Sequence, residues 1–507
     1  MTALTRCLIA NRGEIAVRII RACRELGIHT VAVYSEADSA APHVRLADEA
    51  HLIGPASPAA SYLNSEKLIA VAQSTGCDCL HPGYGFLSEA PDFAQAVTDA
   101  GLTWVGPGAD AIRLMGVKTE ARTLMEQAGV PVVPGFQSEE ANDAAYLAAA
   151  ASIGYPVMVK ASGGGGGKGI RLVADPAHLP EALAAARNEA EHAFGDLRLF
   201  LEKFIESARH VEIQIIADTH GNIIHLFERE CSTQRRHQKI IEESPSPFIN
   251  DDLRAAMGQA AVDAACAVSY VNAGTVEFMV ASDRDFYFLE MNTRLQVEHP
   301  VTEFVTGLDI VKLQFAVAAG EPLPVTQAEV GQHGHAIECR LYAEDPRNGF
   351  LPAIGPVLKF IPPEGPGIRV DSGVRSGDEV TLHYDPMIAK IVVHDRTRQA
   401  AIDRMQMALR DTVILGTITN LDFLRSLLAH PAFIAAGVDT GFVDAHLDDL
   451  LPEPSPLPDA ALIAAALIDL HNNRDPVEAR RRHAPTEEGD IYSPWSRTDG
   501  FRMGRSS

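Results

Sequence analysis

Through residues 1–115 short apolar runs alternate with stretches whose apolar residues recur every three or four positions. Leu8-Ile-Ala10, Val31-Ala-Val-Tyr34, His51-Leu-Ile53, Cys79-Leu80 and Thr103-Trp-Val105 read as strands. After the first of these, Ile15, Ile19, Ala22 and Leu26 share one face of a helix entered through Asn11-Arg-Gly-Glu14. Strand and helix in alternation predict an α/β fold with a doubly wound parallel sheet. The first strand-to-helix turn holds only Gly13, so the G-x-G-x-x-G fingerprint is missing and NAD binding is rejected. His81-Pro-Gly-Tyr84-Gly85 ends a later strand and reads either as a close backbone approach to a ligand or as a plain turn.

Residues 131–205 form a second pattern. Gly154–Lys160 and Ile170–Val173 are strands, and Gly163–Gly167 lies between them, followed by Lys168. Consecutive glycines cost chain entropy, and their N–H groups can cradle phosphates. The loop is not a Walker A loop, because Ser162 and Gly169 stand where Gly and Ser or Thr are required. A glycine-rich hairpin closing over a nucleotide is the better reading. Leu199–Ile205 is the next strand, then His210-Val-Glu212-Ile-Gln214-Ile with its polar row on one face.

The alternation is sharpest at the end of this region. Every second residue from Glu290 is polar (Glu290, Asn292, Arg294, Gln296, Glu298), which places them on one face of an extended segment. A hairpin centred between Asp283 and Arg284 sets Glu277 opposite Glu290. Like charges in that arrangement repel unless a hard cation such as Mg²⁺ lies between them, with Asn292 beside it. The alternative is a surface hairpin with two unrelated glutamates. Arg235, Arg236, His237 and Lys239 concentrate cations in a short stretch and read as an anion pocket. Asn250–Ser269 is a capped helix, and His335–Arg340 is a strand with an inward charged row.

Composition narrows the classes. A net charge of −24 argues against nonspecific nucleic-acid binding and requires any anion site to be locally basic. Seven cysteines suit a reducing compartment, and the location expected is cytoplasmic. Cys77, Cys79 and His81 read as a buried strand and not as metal ligands. No apolar run is long enough to span a bilayer. No internal repeat is visible, unlike the duplicated carbamoyl-phosphate synthetases.

Together these segments carry a resemblance. Glu277 and the run Glu290-Met-Asn-Thr-Arg-Leu-Gln-Val-Glu-His-Pro300 resemble the active-site segment of biotin carboxylases, ATP-grasp enzymes that carboxylate biotin with bicarbonate. The similarity extends over roughly residues 4–446 and includes Gln234-Arg-Arg-His-Gln-Lys239 and Arg340. It implies an N-terminal pre-ATP-grasp domain (1–117), a lid (118–205), a catalytic subdomain (206–330), a C-terminal mixed domain (331–450) and a tail (451–507). It implies that ATP is held by Lys118, Lys160, Gly166, Gly167, Glu202, Lys203, Phe204, Ile205, His210, Gln234 and His237. Mg²⁺ or Mn²⁺ belongs on Glu277, Glu290 and Asn292. Bicarbonate falls to Lys239, Arg294, Gln296 and the Val297 backbone, with Glu298 as general base. Biotin falls to Tyr84, Gly85 and Arg340, the last stabilising its enolate-like oxygen. The implied catalytic set is Arg294, Glu298, Arg340 and Lys239.

The expected partners are a biotin carboxyl carrier, a carboxyltransferase subunit and a second copy of the chain, without nucleic acid or membrane. No Met is followed by Lys, so biotin is expected on a carrier other than this chain. The expected setting is an acyl-CoA carboxylase, such as acetyl-CoA or propionyl-CoA carboxylase, in fatty acid biosynthesis. The rival is another ATP-grasp ligase that forms an acyl phosphate for an amine acceptor.

Overall fold

The computed structural model describes residues 3–137, 142–161, 170–194, 199–236, 238–451 and 457–472. The expected parallel sheet is present, with Glu49–Gly54, His29–Ser35, Arg6–Ile9, Cys79–His81 and Thr103–Trp104 side by side and every pair parallel. Strand order reverses at Arg6–Ile9. In open α/β sheets ligands bind outside the carboxyl ends of the strands at such a switch point. Here the turns at Asn11–Glu14 and His81–Gly85 leave the sheet, and Asn11 Nδ2 laces them together through the carbonyls of Pro82 (2.7 Å) and Tyr84 (2.8 Å). Gly83 has φ +65°, and a Cβ there would meet Asn11 Nδ2 at 2.9 Å, so glycine is needed. The helix Gly13–Leu26 buries Ile15, Ile19 and Ala22, while Leu26 is exposed beside its left-handed Gly27 cap.

A four-stranded antiparallel sheet follows: Gly135–Gln137, Leu199–Lys203, Val157–Ala161 and Ile170–Val173. Gly166 and Gly167, between the last two strands, lie outside the described residues, as does His237.

The largest sheet has eight antiparallel strands, ordered Phe286–Asn292, Asn272–Val280, Arg209–Ala217, Ile223–Arg235, Gln238–Ser244, His335–Tyr342, Met387–Asp395 and Ile368–Ser372. It runs across the boundary expected at 330/331, because Ile241 pairs directly with Cys339. The chain divides after Leu451 into two units, and the described part of the second, 457–472, holds the helix Asp459–Asn472.

All nine residues of Arg209–Ala217 are buried. Val211, Ile213 and Ile215 pack on the helix Asp251–Ala267, which the Asn250 side chain caps. His210, Glu212 and Gln214 occupy the other face, where the helix His299–Thr306 also packs against the sheet. The polar row is therefore internal. Arg229, 0% exposed, donates to Glu212 (2.5 Å), Gln214 (2.8 Å), Thr302 (2.9 Å) and Thr275 (3.1 Å). A guanidinium tolerates that much desolvation only when its donors are met.

The hairpin sets Glu277 opposite Glu290 and Thr275 opposite Asn292, as the pattern predicts. Its turn differs. Phe278 pairs with Phe288, so the register near the turn is one residue shorter, and Leu289 forms a bulge that restores the facing glutamates. The strand also stops at Asn292. The row expected to stay extended through Glu298 turns instead, and Glu298 becomes the residue that opens the helix His299–Thr306. Pro300, in that helix's first turn, has no N–H for a ladder and suits a helix start.

Candidate active site

One cavity of about 1670 Å³ lies between the three sheets, and every described candidate residue lines it. Single-ligand pockets hold roughly 300–1,000 Å³, so this space accommodates a nucleotide and a second substrate together. Tyr84 and Gly85 reach it from the switch-point turn, Lys160 and Glu202 from the four-stranded sheet, and the remainder chiefly from the large sheet and the turn after it.

Lys239 is the centre. Its ammonium donates to Glu212 (2.5 Å), Glu277 (3.0 Å) and Glu298 (2.6 Å). Burial disfavours its charge, but Cys231 and the three glutamates outweigh burial and raise its pKa well above the ordinary value. Glu298 is held on both oxygens, Oε1 by Lys239 and Oε2 by Arg340 at 3.0 Å. Burial alone would push its carboxyl up; Lys239, Arg340 and Arg229 together hold it well below the usual range. Arg340 also donates from Nε to Glu242 (2.5 Å). Glu242 is pushed by burial to about 7, against the pull of Arg340. Adjacent groups of one chemical type thus have separated proton affinities, a common property of reacting sites.

Glu277 is 5% exposed and accepts from His210 (2.7 Å), Asn292 (2.8 Å), Lys239 (3.0 Å) and Gln296 (3.2 Å). Burial works against its charge, but Lys239 and His210 keep its pKa far below normal. Glu290 is more open and lies 3.2 Å from the exposed ammonium of Lys118. Here the expectation needs correction. Each glutamate already has its own cation, so the pair is not held in simple mutual repulsion.

The donor set still fits a hard divalent cation: two carboxylates opposed across a ladder, an amide oxygen beside them, and a cavity wall with room for phosphate oxygens. His210, Glu212 and Glu277 also have ligand atoms within 4.8 Å of one another, but the Lys239 ammonium bonds both of those glutamates and already supplies the positive charge. Glu290→Gln is therefore expected to raise the Mg²⁺ concentration for half-maximal turnover by about tenfold or more, since even supporting contacts to a metal are worth 10–100-fold. A Mg²⁺ titration identical to wild type would remove Glu290 from the metal set.

Arg294 bridges segments: Nε donates to Glu89 (2.8 Å), Nη1 to Gln296 (2.6 Å) and Nη2 to Asn292 (2.9 Å). On the opposite wall Lys160 pairs with Glu202, which Arg122 also approaches at 3.4 Å. The Lys203 ammonium is spent on the carbonyls of Gly154 (2.8 Å) and Tyr155 (3.0 Å). The N–H groups of Lys203 and Phe204 bond to Pro134 and Pro156. Of the described cations at 235–239, Arg236 and Lys239 line the cavity and Arg235 does not. Arg235 pairs with Gln238 in the ladder rung next to that of Lys239, so its guanidinium lies over the Phe350 ring at 3.9 Å while Lys239 points inward. Gln234, opposite Lys239 in the ladder, and Arg236 line the cavity.

Several residues that support the site escaped the sequence reading. Glu212 and Arg229 were legible as charged positions on alternating strands, but not as partners. Glu89, four residues beyond the His81–Gly85 turn, carried no assigned role. Glu14, Glu242 and Lys390 carried no local signal.

Three family profiles match in series: the biotin carboxylase N-terminal domain at residues 3–112, the ATP-binding domain of the carbamoyl-phosphate synthase L chain at 117–326, and the biotin carboxylase C-terminal domain at 338–445. The mitochondrial methylcrotonoyl-CoA carboxylase subunit alpha of Mus musculus is 48% identical over 502 residues, 99% of this chain and 70% of the relative. Biotin carboxylase 1 of Bacillus subtilis (strain 168) is 51% identical over 444 residues, 87% of this chain and 99% of the relative. Among solved structures, the biotin carboxylase domain dimer of Hydrogenobacter thermophilus 2-oxoglutarate carboxylase, in complex with MgADP, ADP and bicarbonate, superposes with a TM-score of 0.83 at 43% identity, covering 90% of this chain and all of that one. The Campylobacter jejuni biotin carboxylase in a β,γ-ATP complex gives 0.83 at 44% identity, covering 88% and 99%. Three family profiles in series, relatives at 48–51% identity and the shared fold agree, and the chain belongs to the biotin carboxylase family, the ATP-grasp ligases of biotin-dependent carboxylases.

Proposed function

We propose that this chain uses ATP and bicarbonate to carboxylate biotin on a carrier, with Glu298 as the base. The observation that carries this is the double hold on Glu298. One of its cations, Lys239, points toward the metal carboxylates, and the other, Arg340, stands on the neighbouring inward strand. Lys118, Lys160, His210, Gln234 and the segment Glu202–Ile205 would hold the nucleotide. A magnesium ion on Glu277, Glu290 and Asn292 would neutralise phosphate charge. Lys239, Arg294, Gln296 and the Val297 N–H would hold bicarbonate in line with the γ-phosphate.

Phosphoryl transfer needs placement and charge neutralisation more than covalent help. Bicarbonate is a poor electrophile; Glu298 takes its proton, its oxygen attacks the γ-phosphorus, and ADP leaves. The carboxyphosphate formed breaks to CO₂ and phosphate. Phosphate removes the N1 proton of biotin, and N1 attacks CO₂. Arg340 stabilises the charge that develops on the ureido oxygen.

For the final acceptor, acetyl-CoA or propionyl-CoA and a place in fatty acid biosynthesis were expected. The relatives that match 99% of the chain are named for methylcrotonoyl-CoA, and that acyl-CoA is the acceptor we favour. A homodimer is proposed because the Hydrogenobacter relative is described as a dimer. A carrier and a carboxyltransferase subunit remain the proposed partners. A cytoplasmic location is proposed on the seven unpaired cysteines.

ADP release is expected to require Mg²⁺ and bicarbonate and to rise on addition of free biotin. Stimulation by amines or amino acids, with none by biotin, would establish the rival ligase.

A further inference from the structure

Lys390 is 0% exposed, and no step above uses it. Its strand, Met387–Asp395, sets it opposite Arg340 on one side and Asp371 on the other. Its ammonium donates to the Val297 carbonyl at 2.6 Å and lies 3.4 Å from Glu14 Oε1. Glu14, at the start of the first helix, accepts the Tyr84 hydroxyl. The preceding peptide is held as well. His299 Nδ1 is 2.7 Å from the Gln296 carbonyl, which can only accept, so Nδ1 carries the proton. Both peptide units between Gln296 and Glu298 are thus fixed from behind by buried side chains. Desolvating an ammonium is costly, and an apolar side chain of similar volume often packs at least as well. The charge therefore calls for a reason beyond packing.

We propose that Lys390 is a positioning residue that sets the Gln296–Glu298 turn, and that Glu14 ties that turn to the Tyr84 side of the cavity. The Val297 N–H and the Glu298 carboxylate then take their places relative to bicarbonate before it arrives. This rests on the turn being the bicarbonate site. The contact spans 93 residues of sequence, and among the described residues Lys390 bonds to none of the nucleotide candidates. Its removal should therefore disturb one substrate and spare the other.

Steady-state ATP turnover of Lys390→Met and Glu14→Gln, measured on the full chain with bicarbonate and ATP varied separately, tests this. A misplacement of about 1 Å costs on the order of 10²-fold, so Lys390→Met should lower kcat/KM for bicarbonate by about that factor while KM for ATP stays within about threefold. Glu14→Gln keeps an acceptor for Tyr84 but loses the charge facing Lys390, and should show a smaller shift with the same split. Bicarbonate and ATP constants that worsen together would mean a purely structural role and overturn the proposal. So would an unchanged kcat/KM for bicarbonate in either variant, and Glu14→Gln decides alone if Lys390→Met does not fold. Wild-type turnover indifferent to bicarbonate would instead overturn the reading of the site, and this inference with it.

Discussion

Replacing Glu298 by Gln is expected to lower bicarbonate-dependent ATP turnover by about 10²–10⁴-fold, the usual contribution of a positioned general base. The variant should still bind nucleotide, so Mg-ATP should raise its melting temperature as in wild type. Gln keeps the length of the side chain and one acceptor oxygen, but it cannot take the proton of bicarbonate. The geometry adds a reason to expect a large effect. The two cations on Glu298, Lys239 at 2.6 Å and Arg340 at 3.0 Å, are the groups proposed to bind bicarbonate and biotin. While both hold it, the carboxylate is ionised but weakly basic. A substrate that drew either cation away would raise its proton affinity, so the proposed base would strengthen as its substrates bind. A loss smaller than about tenfold would place the base elsewhere, with Glu212 and Glu277, the other carboxylates on Lys239, the first to test.

Alternation was informative wherever a residue's face decides its fate. It identified the strands of the parallel sheet, the inward row of His335–Arg340 and the facing of Glu277 and Glu290. It could not show what each face meets. The polar row of Arg209–Ala217 reads the same whether it meets water or Arg229, because the helix that covers it begins some ninety residues later. The Leu289 bulge and the turn after Asn292 were invisible for a related reason. Period-two patterns report side-chain direction along an unbroken strand, and a bulge or a bend keeps the same letters while changing the path. Cation density misled at Arg235, because Arg235 pairs with Gln238 and Lys239 with Gln234, and adjacent rungs of a ladder face opposite ways. Arg235 therefore stacks on Phe350 while Lys239 enters the acidic cluster. Residues held by partners far along the chain, such as Lys390 at Val297, gave no local sign at all.

Lys239→Met should be the most damaging single change to both activity and stability. It leaves three buried glutamates short of a shared cation, and breaking a buried ion network in this way costs about 3–5 kcal/mol. The loss has a defined pH dependence. In wild type, Glu277 and Glu298 sit below their ordinary value of 4.5, so each adds stability above that pH and loses it as pH falls through the folded pKa. Lys239 is raised above its ordinary 10.5, so its own contribution is complete anywhere below that value. Both conditions hold at neutral pH, where the variant suffers most. Without the ammonium, burial, the largest influence on each glutamate, is opposed only by what remains of Arg229, Arg340 and His210, and the folded pKa values are expected to move up. Once they pass the unfolded values, the native state binds protons that the unfolded state does not. Stability of the variant should therefore increase as pH falls from about 8 to about 5, while wild type gains nothing over that range from Glu277 and Glu298. Urea denaturation at several pH values measures both curves. A deficit that stays constant with pH would mean that Lys239 supports the fold through packing and not through its charge.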